Sequence, residues 1–225
     1  MTSKFLPKRT PVAMSKGSKA VGAAGSGKCV SALAGTNAEL MENVAKLWIT
    51  EEDVIADVTY GRGVFWKNLR PPDFCHDLNG DGVDCRKLPH PDESIDCVVI
   101  DPPYRPGHGS QGFDSNGMSK AYGLGGSLDT INDILDLYHD SIHEAKRVLK
   151  QGGRLMVKCQ DLSYANKLHL VTLDILRFIL EDGFDLADQF ILVNTSNLAS
   201  KKWNKQERAR RSHSVLWVAC KLPEA

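Results

Sequence analysis

Two places in the sequence combine an acid with glycines or prolines directly after a short apolar run. Asp57 is followed by Gly61 and Gly63, which lack a Cβ and so let the backbone approach a ligand closely. The sequence Asp-Pro-Pro-Tyr at 101–104 follows the apolar run 95–100. Consecutive prolines leave no backbone N–H at two positions and hold the neighbouring carbonyl groups and side chains in fixed directions. The two motifs predict a ligand-binding turn beside a rigid corner rich in hydrogen-bond acceptors.

The elements around these motifs alternate between strand and helix. Thr36 and Glu39 form a capping box that opens a predicted helix over 37–49. Further helices are predicted over 131–149, stopped by Gly152 and Gly153, and over 166–182. Strands are predicted at 54–58, 74–76, 95–100, 155–159, 190–194 and 215–220. The pattern indicates an α/β fold: a mostly parallel sheet with helices on both faces and a C-terminal antiparallel hairpin.

In such sheets, ligands bind beyond the carboxyl ends of the strands. Asp57 and the segment 101–104 each follow a predicted strand, so we expect them to share one site. Asp77 is predicted near the end of the second strand, where its carboxylate could bind the ribose hydroxyls of a cofactor, as acids do in related dinucleotide sites. The alternative is that Asp77 is a solvated acid in a turn.

Length and composition indicate one folded domain. The chain has 225 residues, of which 42% are hydrophobic and 25% charged, close to globular averages. No apolar run approaches the roughly 18 residues that a membrane span needs. The six cysteines lie singly, as is usual in a reducing cytoplasm. We expect a cytoplasmic protein that does not interact with membranes, with an unordered basic arm at 1–35 and a domain at 36–225.

The net charge of zero hides an uneven distribution. Residues 1–20 carry five basic side chains and no acid, and 201–211 carry six basic side chains and one acid. Residues 21–200 carry sixteen Lys and Arg against twenty-six Asp and Glu. An acidic body with two basic segments is compatible with solvated tails or with binding to a polyanion.

Two further motifs are incomplete. The segment 22–28 has the spacing of a phosphate-binding P-loop, but Cys29 replaces the magnesium-binding Ser or Thr and no apolar strand precedes it. The segment 77–82 matches the first half of a calcium-binding EF-hand loop, but its twelfth position is Leu88 instead of a bidentate Glu. We therefore expect neither a nucleotide loop nor a metal site.

The motifs taken together resemble the S-adenosylmethionine-dependent amino-methyltransferases of DNA, which methylate the exocyclic amine of adenine or cytosine. The tetrapeptide at 101–104 is similar to the catalytic motif of that family, and the turn from Asp57 to Gly63 is similar to its cofactor turn. The segment that begins at Asp84, the helix opening at Asn37, and the segments 152–161 and 209–217 resemble other family segments in the expected order, over residues 36–221.

The resemblance implies a Rossmann-like class I methyltransferase fold and assigns roles. Asp101 and the carbonyl of Pro102 would each accept one N–H of the target amine, and Tyr104 would stack on the flipped base. Asn37, Asp57, Gly61, Gly63, Asp77 and Asp84 would bind S-adenosylmethionine. The basic segment would contact the DNA backbone through Lys201, Lys202, Lys205, Arg208, Arg210 and Arg211. No metal is required.

Some features depart from the family and leave alternatives open. Val58 and Thr59 stand where many adenine enzymes have other residues, and no separate target-recognition domain is predicted. Asp101 resembles adenine enzymes more than cytosine enzymes, which commonly have Ser there. N4-cytosine methylation, methylation of RNA base amines, and a nucleic-acid-binding module without activity remain the alternatives. The compact size would suit a stand-alone modification enzyme, including one encoded by a phage.

Overall fold

The computed structural model describes residues 28–104, 128, 130–165, 167–194, 209 and 211–223. In chain order the elements are β1 (Ala32–Ala34), α1 (Asn37–Trp48), β2 (Ile55–Asp57), a short 3-10 helix (Val64–Trp66), β3 (Phe74–Cys75), β4 (Ile95–Ile100), α2 (Ile131–Val148), β5 (Leu149–Cys159), β6 (Leu162–Tyr164), β7 (Lys167–His169), α3 (Val171–Glu181), β8 (Phe184–Val193) and β9 (His213–Lys221).

Seven strands form one mixed sheet in the order β1-β8-β9-β5-β4-β2-β3. β2 pairs in parallel with β3 and with β4, and β4 pairs in parallel with β5. β9 is antiparallel to both of its neighbours, β5 and β8, which confirms the predicted C-terminal hairpin. The carboxyl ends of β2, β3, β4 and β5 therefore lie along the same edge of the sheet.

Each of the two longest helices starts where its sequence provides a cap. The Thr36 side chain accepts a hydrogen bond from the backbone N–H of Glu39, and the Glu39 side chain accepts one from that of Thr36, so the predicted capping box is confirmed. Thr130 and Asp133 form a second capping box at the start of α2. Both boxes satisfy backbone N–H groups that a helix start leaves without partners.

The helices cover both faces of the sheet, as predicted. Alternate residues of β4 point to opposite faces, so Val99 packs in the cluster beneath α1 and Val98 in the cluster beneath α2 and α3. Tyr138 of α2 is fully buried, and its hydroxyl donates to the backbone carbonyl of Lys158 at 2.8 Å. This bond fixes the carboxyl end of β5 against α2.

Three predicted boundaries are wrong. Residues 32–34 of the supposed arm form β1, which pairs in parallel with β8, while residues 1–27 lie outside the described residues. The helix predicted from 166 begins at Val171, because residues 167–169 pair with β6 instead. β8 begins at Phe184 and not at 190, because it pairs with β9 along its length.

Gly152 and Gly153 do not stop a helix. α2 ends at Val148, and β5 starts at once, with the pairing to β4 jumping from Leu149 to Arg154. The two glycines lie inside this irregular part of the strand. Gly152 has φ of 75°, and a Cβ at Gly153 would lie 2.8 Å from the carbonyl oxygen of Lys150. The glycines thus permit a bulge.

All six cysteines are free thiols. Among the helices of the described residues, none has the length and apolar character needed to cross a membrane.

Candidate active site

The segments that follow β2, β3 and β4 surround a small cavity at the carboxyl edge of the sheet. Its lining includes Val58 and Thr59 after β2, Asp77 and Asp84 after β3, and Pro102 after β4. Both sequence motifs therefore meet at one site, as the topology predicts for parallel strands.

The turn after β2 requires its glycines. Gly61 and Gly63 have φ of 52° and 60°, a region that other residues rarely adopt. A Cβ at Gly63 would lie 2.5 Å from the Tyr60 hydroxyl oxygen. The Gly61 N–H donates to a carboxylate oxygen of Asp77 at 3.0 Å, which ties the turn to the end of β3. The predicted cofactor role of the glycines is compatible with this geometry.

Asp57 is buried beneath this turn. Its Oδ2 accepts from the indole N–H of Trp66 at 2.7 Å, and its Oδ1 accepts from the backbone N–H of Thr59 at 3.0 Å. Burial raises the pKa of Asp57 to about 7, although both hydrogen bonds favour the charged form. Asp57 holds the turn and the 3-10 helix together, and its direct contact with a cofactor stays a prediction.

Asp77 and Asp84 both line the cavity. Asp77 is 7% exposed, and its Oδ1 accepts from the N–H groups of Asn79 and Gly80, so it shapes its own turn as well as binding Gly61. Asp84 forms a salt bridge with Arg86 at 2.6 Å, and the hydrogen bond from Arg86 lowers the pKa of Asp84. Two carboxylates therefore border the cavity in different electrostatic settings.

The EF-hand-like segment serves as a tight turn. Asp81 Oδ1 accepts from the backbone N–H groups of Asp77 and Val83, and its Oδ2 contacts His76 Nδ1 at 2.6 Å. Burial alone would raise the pKa of Asp81, but these hydrogen bonds outweigh it and lower the pKa. The acids at 77 and 81 are thus used for backbone hydrogen bonds.

The tetrapeptide is held at the rim of the cavity. The Asp101 N–H donates to the Thr59 hydroxyl at 2.7 Å, which links it to the turn after β2. Pro102 and Pro103 are buried and line the cavity. The Tyr104 hydroxyl donates to Asp101 Oδ1 at 2.6 Å, so the acid and the ring are joined directly.

Lys158 also belongs to this site, although none of the sequence motifs predicts a role for it. It stands at the carboxyl end of β5, is 3% exposed, and places its Nζ 3.3 Å from Asp101 Oδ1. Trp66 is a second residue of the site that the motifs do not predict, and nothing in its local sequence indicates its bond to Asp57.

Two described residues among the predicted site residues, Asn37 and Arg211, are not in the lining of the cavity. Asn37 lies half-buried at the first turn of α1, outside the described lining of the cavity. Of the six basic residues of the segment, Arg211 is the one that the structure describes, and its backbone carbonyl accepts from Gln160 Nε2 at 3.1 Å, just beyond β5. Lys201, Lys202, Lys205, Arg208 and Arg210 lie outside the described residues.

A family model for DNA methylases matches residues 95–224, more than half of the chain. The comparison with curated protein sequences gives no match. Among solved structures, the cytosine-N4-specific PvuII DNA methyltransferase is 22% identical, and the match covers 63% of this chain and 49% of that chain with a TM-score of 0.44. The chain spans about half the length of the DNA modification methylases that it matches.

Two other structures show the same kind of similarity. A candidate DNA modification methylase of Thermus thermophilus, solved with S-adenosyl-L-methionine, is 20% identical over 63% of this chain and 54% of that chain, with a TM-score of 0.41. A candidate methyltransferase solved with the Haloferax volcanii activator Trm112 is 14% identical over 84% of this chain and 90% of that chain, with a TM-score of 0.50. At this identity the likeness to the latter concerns the fold alone.

The chain belongs to the DNA methylase family, the N6 and N4 amino-methyltransferases. This confirms the resemblance drawn from the motifs and the expected Rossmann-like methyltransferase fold. S-adenosylmethionine, the predicted cofactor, is the methyl donor of this family.

Proposed function

We propose that the protein transfers a methyl group from S-adenosylmethionine to the N6 amine of a flipped adenine in DNA. The observation that carries the proposal is the position of the tetrapeptide, which Thr59 holds at the rim of the cavity through the Asp101 N–H. The prolines at 102 and 103 line that cavity, so an amine bound at the tetrapeptide would adjoin a ligand bound in the cavity.

The residues of the tetrapeptide suit the orientation of an exocyclic amine. The nitrogen lone pair of such an amine is delocalised into the ring, which makes it a poor nucleophile. Asp101 and the Pro102 carbonyl each offer an acceptor for one N–H, and accepting both directs the lone pair toward the methyl donor. The Tyr104 ring offers a face on which the extruded base can stack.

The residues that line the cavity have the chemistry that a nucleoside-containing cofactor requires. Val58, Leu78 and Pro102 supply an apolar lining for a purine ring, and Asp77 supplies carboxylate oxygens for ribose hydroxyls. Asp77 Oδ1 accepts from two backbone N–H groups and Oδ2 accepts from one, so the carboxylate keeps capacity for another donor. The two glycines after Asp57 adopt the positive φ angles that shape this turn beside the cavity. When bound, S-adenosylmethionine supplies an electrophilic methyl group on a sulfonium leaving group.

Adenine is proposed over cytosine because of the acid at the first position of the tetrapeptide. A carboxylate accepts hydrogen bonds only, and it resembles the motif of adenine enzymes, whereas cytosine enzymes commonly have Ser there. The choice between the two bases rests on this one residue.

The basic segment 201–211 is proposed to contact the DNA backbone. An acidic body repels phosphates, so positive charge must be concentrated near the site for DNA to bind. The described end of this segment supports such a position, because the Arg211 backbone is hydrogen-bonded to Gln160, two residues beyond Lys158.

The decisive experiment is incubation with labelled S-adenosylmethionine and plasmid DNA, followed by nucleoside analysis. We expect N6-methyladenine. N4-methylcytosine would refute the base assignment only, and label that enters RNA but never DNA would refute the substrate class. Absence of label from both nucleic acids, in folded protein that binds the cofactor, would refute the proposed activity.

A paired set of variants tests the role of the acid. Asp101→Ala should lower kcat on the order of 100-fold while leaving cofactor affinity unchanged, because it removes one amine acceptor. Asp140→Ala is the control, because Asp140 is an exposed acid of α2 whose side chain contacts only His139 among the described residues. Full activity of Asp101→Ala would contradict the mechanism.

A further inference from the structure

The tetrapeptide has a buried partner, the side chain of Lys158. Its Nζ lies 3.3 Å from Asp101 Oδ1 and 3.5 Å from Asp101 Oδ2, and it is hydrogen-bonded to the Tyr104 hydroxyl. The same ammonium stands over the Tyr104 ring, 4.7 Å from its centroid. One cation therefore contacts both side chains that are proposed to hold the target base.

The position of this cation is fixed by the fold. Lys158 pairs with Leu216 of β9, in the interior of the sheet, and its carbonyl accepts from the Tyr138 hydroxyl at 2.8 Å. Its side chain is almost completely buried and passes near the ring of Phe65, whose centroid lies 5.6 Å from Nζ. An ammonium without a partner is costly to bury, so its contacts with Asp101 are needed to offset that cost.

The contacts are uneven between the two oxygens of Asp101. Oδ1 accepts from Tyr104 and lies nearer to Lys158, whereas Oδ2 has only the longer contact with Lys158 among the described residues. Oδ2 is thus the oxygen with capacity for a further donor, because the Tyr104 hydroxyl bonds to Oδ1. The ammonium contacts both oxygens and so holds the carboxylate in place.

Charge favours the same arrangement. Burial is the main cause of the raised pKa of Asp57, and the negative charge of the nearby Asp101 raises it further. The Lys158 ammonium is the cation in direct contact with Asp101 among the described residues and offsets this clustering of negative charge. Two acids would otherwise stand together in a buried site.

We propose that Lys158 is a positioning residue for methyl transfer: it holds Asp101 so that Oδ2 accepts an N–H of the target amine, and it holds Tyr104 against the same carboxylate. The inference rests on the proposed function. It assigns to Lys158 no contact with the base and no proton transfer, because the ammonium acts entirely through Asp101 and Tyr104.

The test combines Lys158 and Asp101 variants in a kinetic double-mutant cycle. Lys158→Met nearly keeps the length of the side chain and removes its charge. In the wild-type background it should lower kcat about 10- to 100-fold, the scale of a small misplacement of a reacting group. The cofactor Kd should change less than about twofold, because the charge acts on the base-binding residues. Lys158→Arg should recover a measurable part of kcat, because it restores a cation that donates to the carboxylate.

The Asp101→Asn background separates positioning from scaffolding. The amide of this variant would keep an acceptor oxygen but carry no charge for Lys158 to hold, so Lys158→Met should lower kcat less than about threefold there. Equal losses in both backgrounds would mean that Lys158 only supports the fold, and unchanged kcat in Lys158→Met would also overturn the proposal. If Lys158→Met does not fold, Lys158→Gln replaces it in the same cycle. Inactive wild-type protein would refute the proposed function itself, whereas active wild type with an unaffected Lys158→Met refutes this inference alone.

Discussion

The buried carboxyl group of Asp57 should make the protein less stable as the pH rises from about 4.5 to 6.5, a window that lies between its two pKa values. Burial raises the pKa of this group from 3.8 to about 7, so the folded state binds its proton more tightly than the unfolded state does. Below pH 3.8 both states are protonated and the stabilisation by proton binding is complete. Between the two pKa values only the folded state holds the proton, so this stabilisation decreases steadily as the pH rises. The loss is complete once the pH exceeds about 7.

The magnitude follows from the number of protons. One proton bound by the folded state alone changes the free energy of unfolding by about 1.4 kcal/mol per pH unit. About two pH units inside the window therefore correspond to a loss of about 2 to 3 kcal/mol attributable to Asp57. This is a large part of the stability of a typical domain.

Urea unfolding at a series of pH values, in wild type and in Asp57→Asn, measures this contribution. The asparagine side chain would nearly preserve the shape of the acid and would not titrate, so the ionisable groups that do not interact with Asp57 contribute equally to both proteins and cancel in the comparison. Asp101, whose charge acts on Asp57 less strongly than burial does, belongs to the difference that is measured. We expect the free energy of unfolding of the wild type to fall more steeply with pH, at equal m-values. Parallel pH dependences in the two proteins would refute the raised pKa.

Two further predictions concern ligand binding. Gly63→Ala should weaken the binding of S-adenosylhomocysteine, measured by calorimetry, more than Gly152→Ala does. Both glycines have positive φ, but only a Cβ at position 63 would lie 2.5 Å from the Tyr60 hydroxyl oxygen. Equal affinities of the two variants would contradict the close packing of this turn. Replacing the three lysines between 201 and 205 by Ala should lower the salt slope of DNA binding by up to about 2.7, at about 0.9 per phosphate contact, while the matched replacement by Arg should preserve it. An unchanged slope for the Ala variant in filter binding would place the DNA contacts elsewhere.

The elements that could be predicted are those whose cause is local. The helix at α1 has a capping box and an apolar stripe, and β4 is a mostly apolar run directly before the tetrapeptide at 101–104. β1 and the β6–β7 hairpin have strands of three residues each, too short for any periodicity to show. Their formation depends on a partner strand, so residues 167–169, which the sequence joins to the following helix, become a strand through pairing with β6.

The same contrast holds at the candidate site. The turn after Asp57 and the tetrapeptide could be found because strand ends and residues with special backbone conformations are visible in the sequence. The partners of Asp57 and Asp101 could not, because Trp66 and Lys158 reach them only through the fold. One clue to Lys158 was present, since it is the single charged residue in the apolar stretch 155–159.

A lysine in the interior of a buried strand requires a counter-charge at its own depth, because desolvation would otherwise favour its neutral form or destabilise the fold. In a parallel sheet, the same end of an adjacent strand can supply that counter-charge. β4 pairs with β5 through Ile100 and Val157. Asp101 is the residue after Ile100, and Lys158 is the residue after Val157. The acid that is proposed to orient the target amine and the cation that balances it are therefore brought together by strand register, a relation that becomes visible once the neighbouring strands are known.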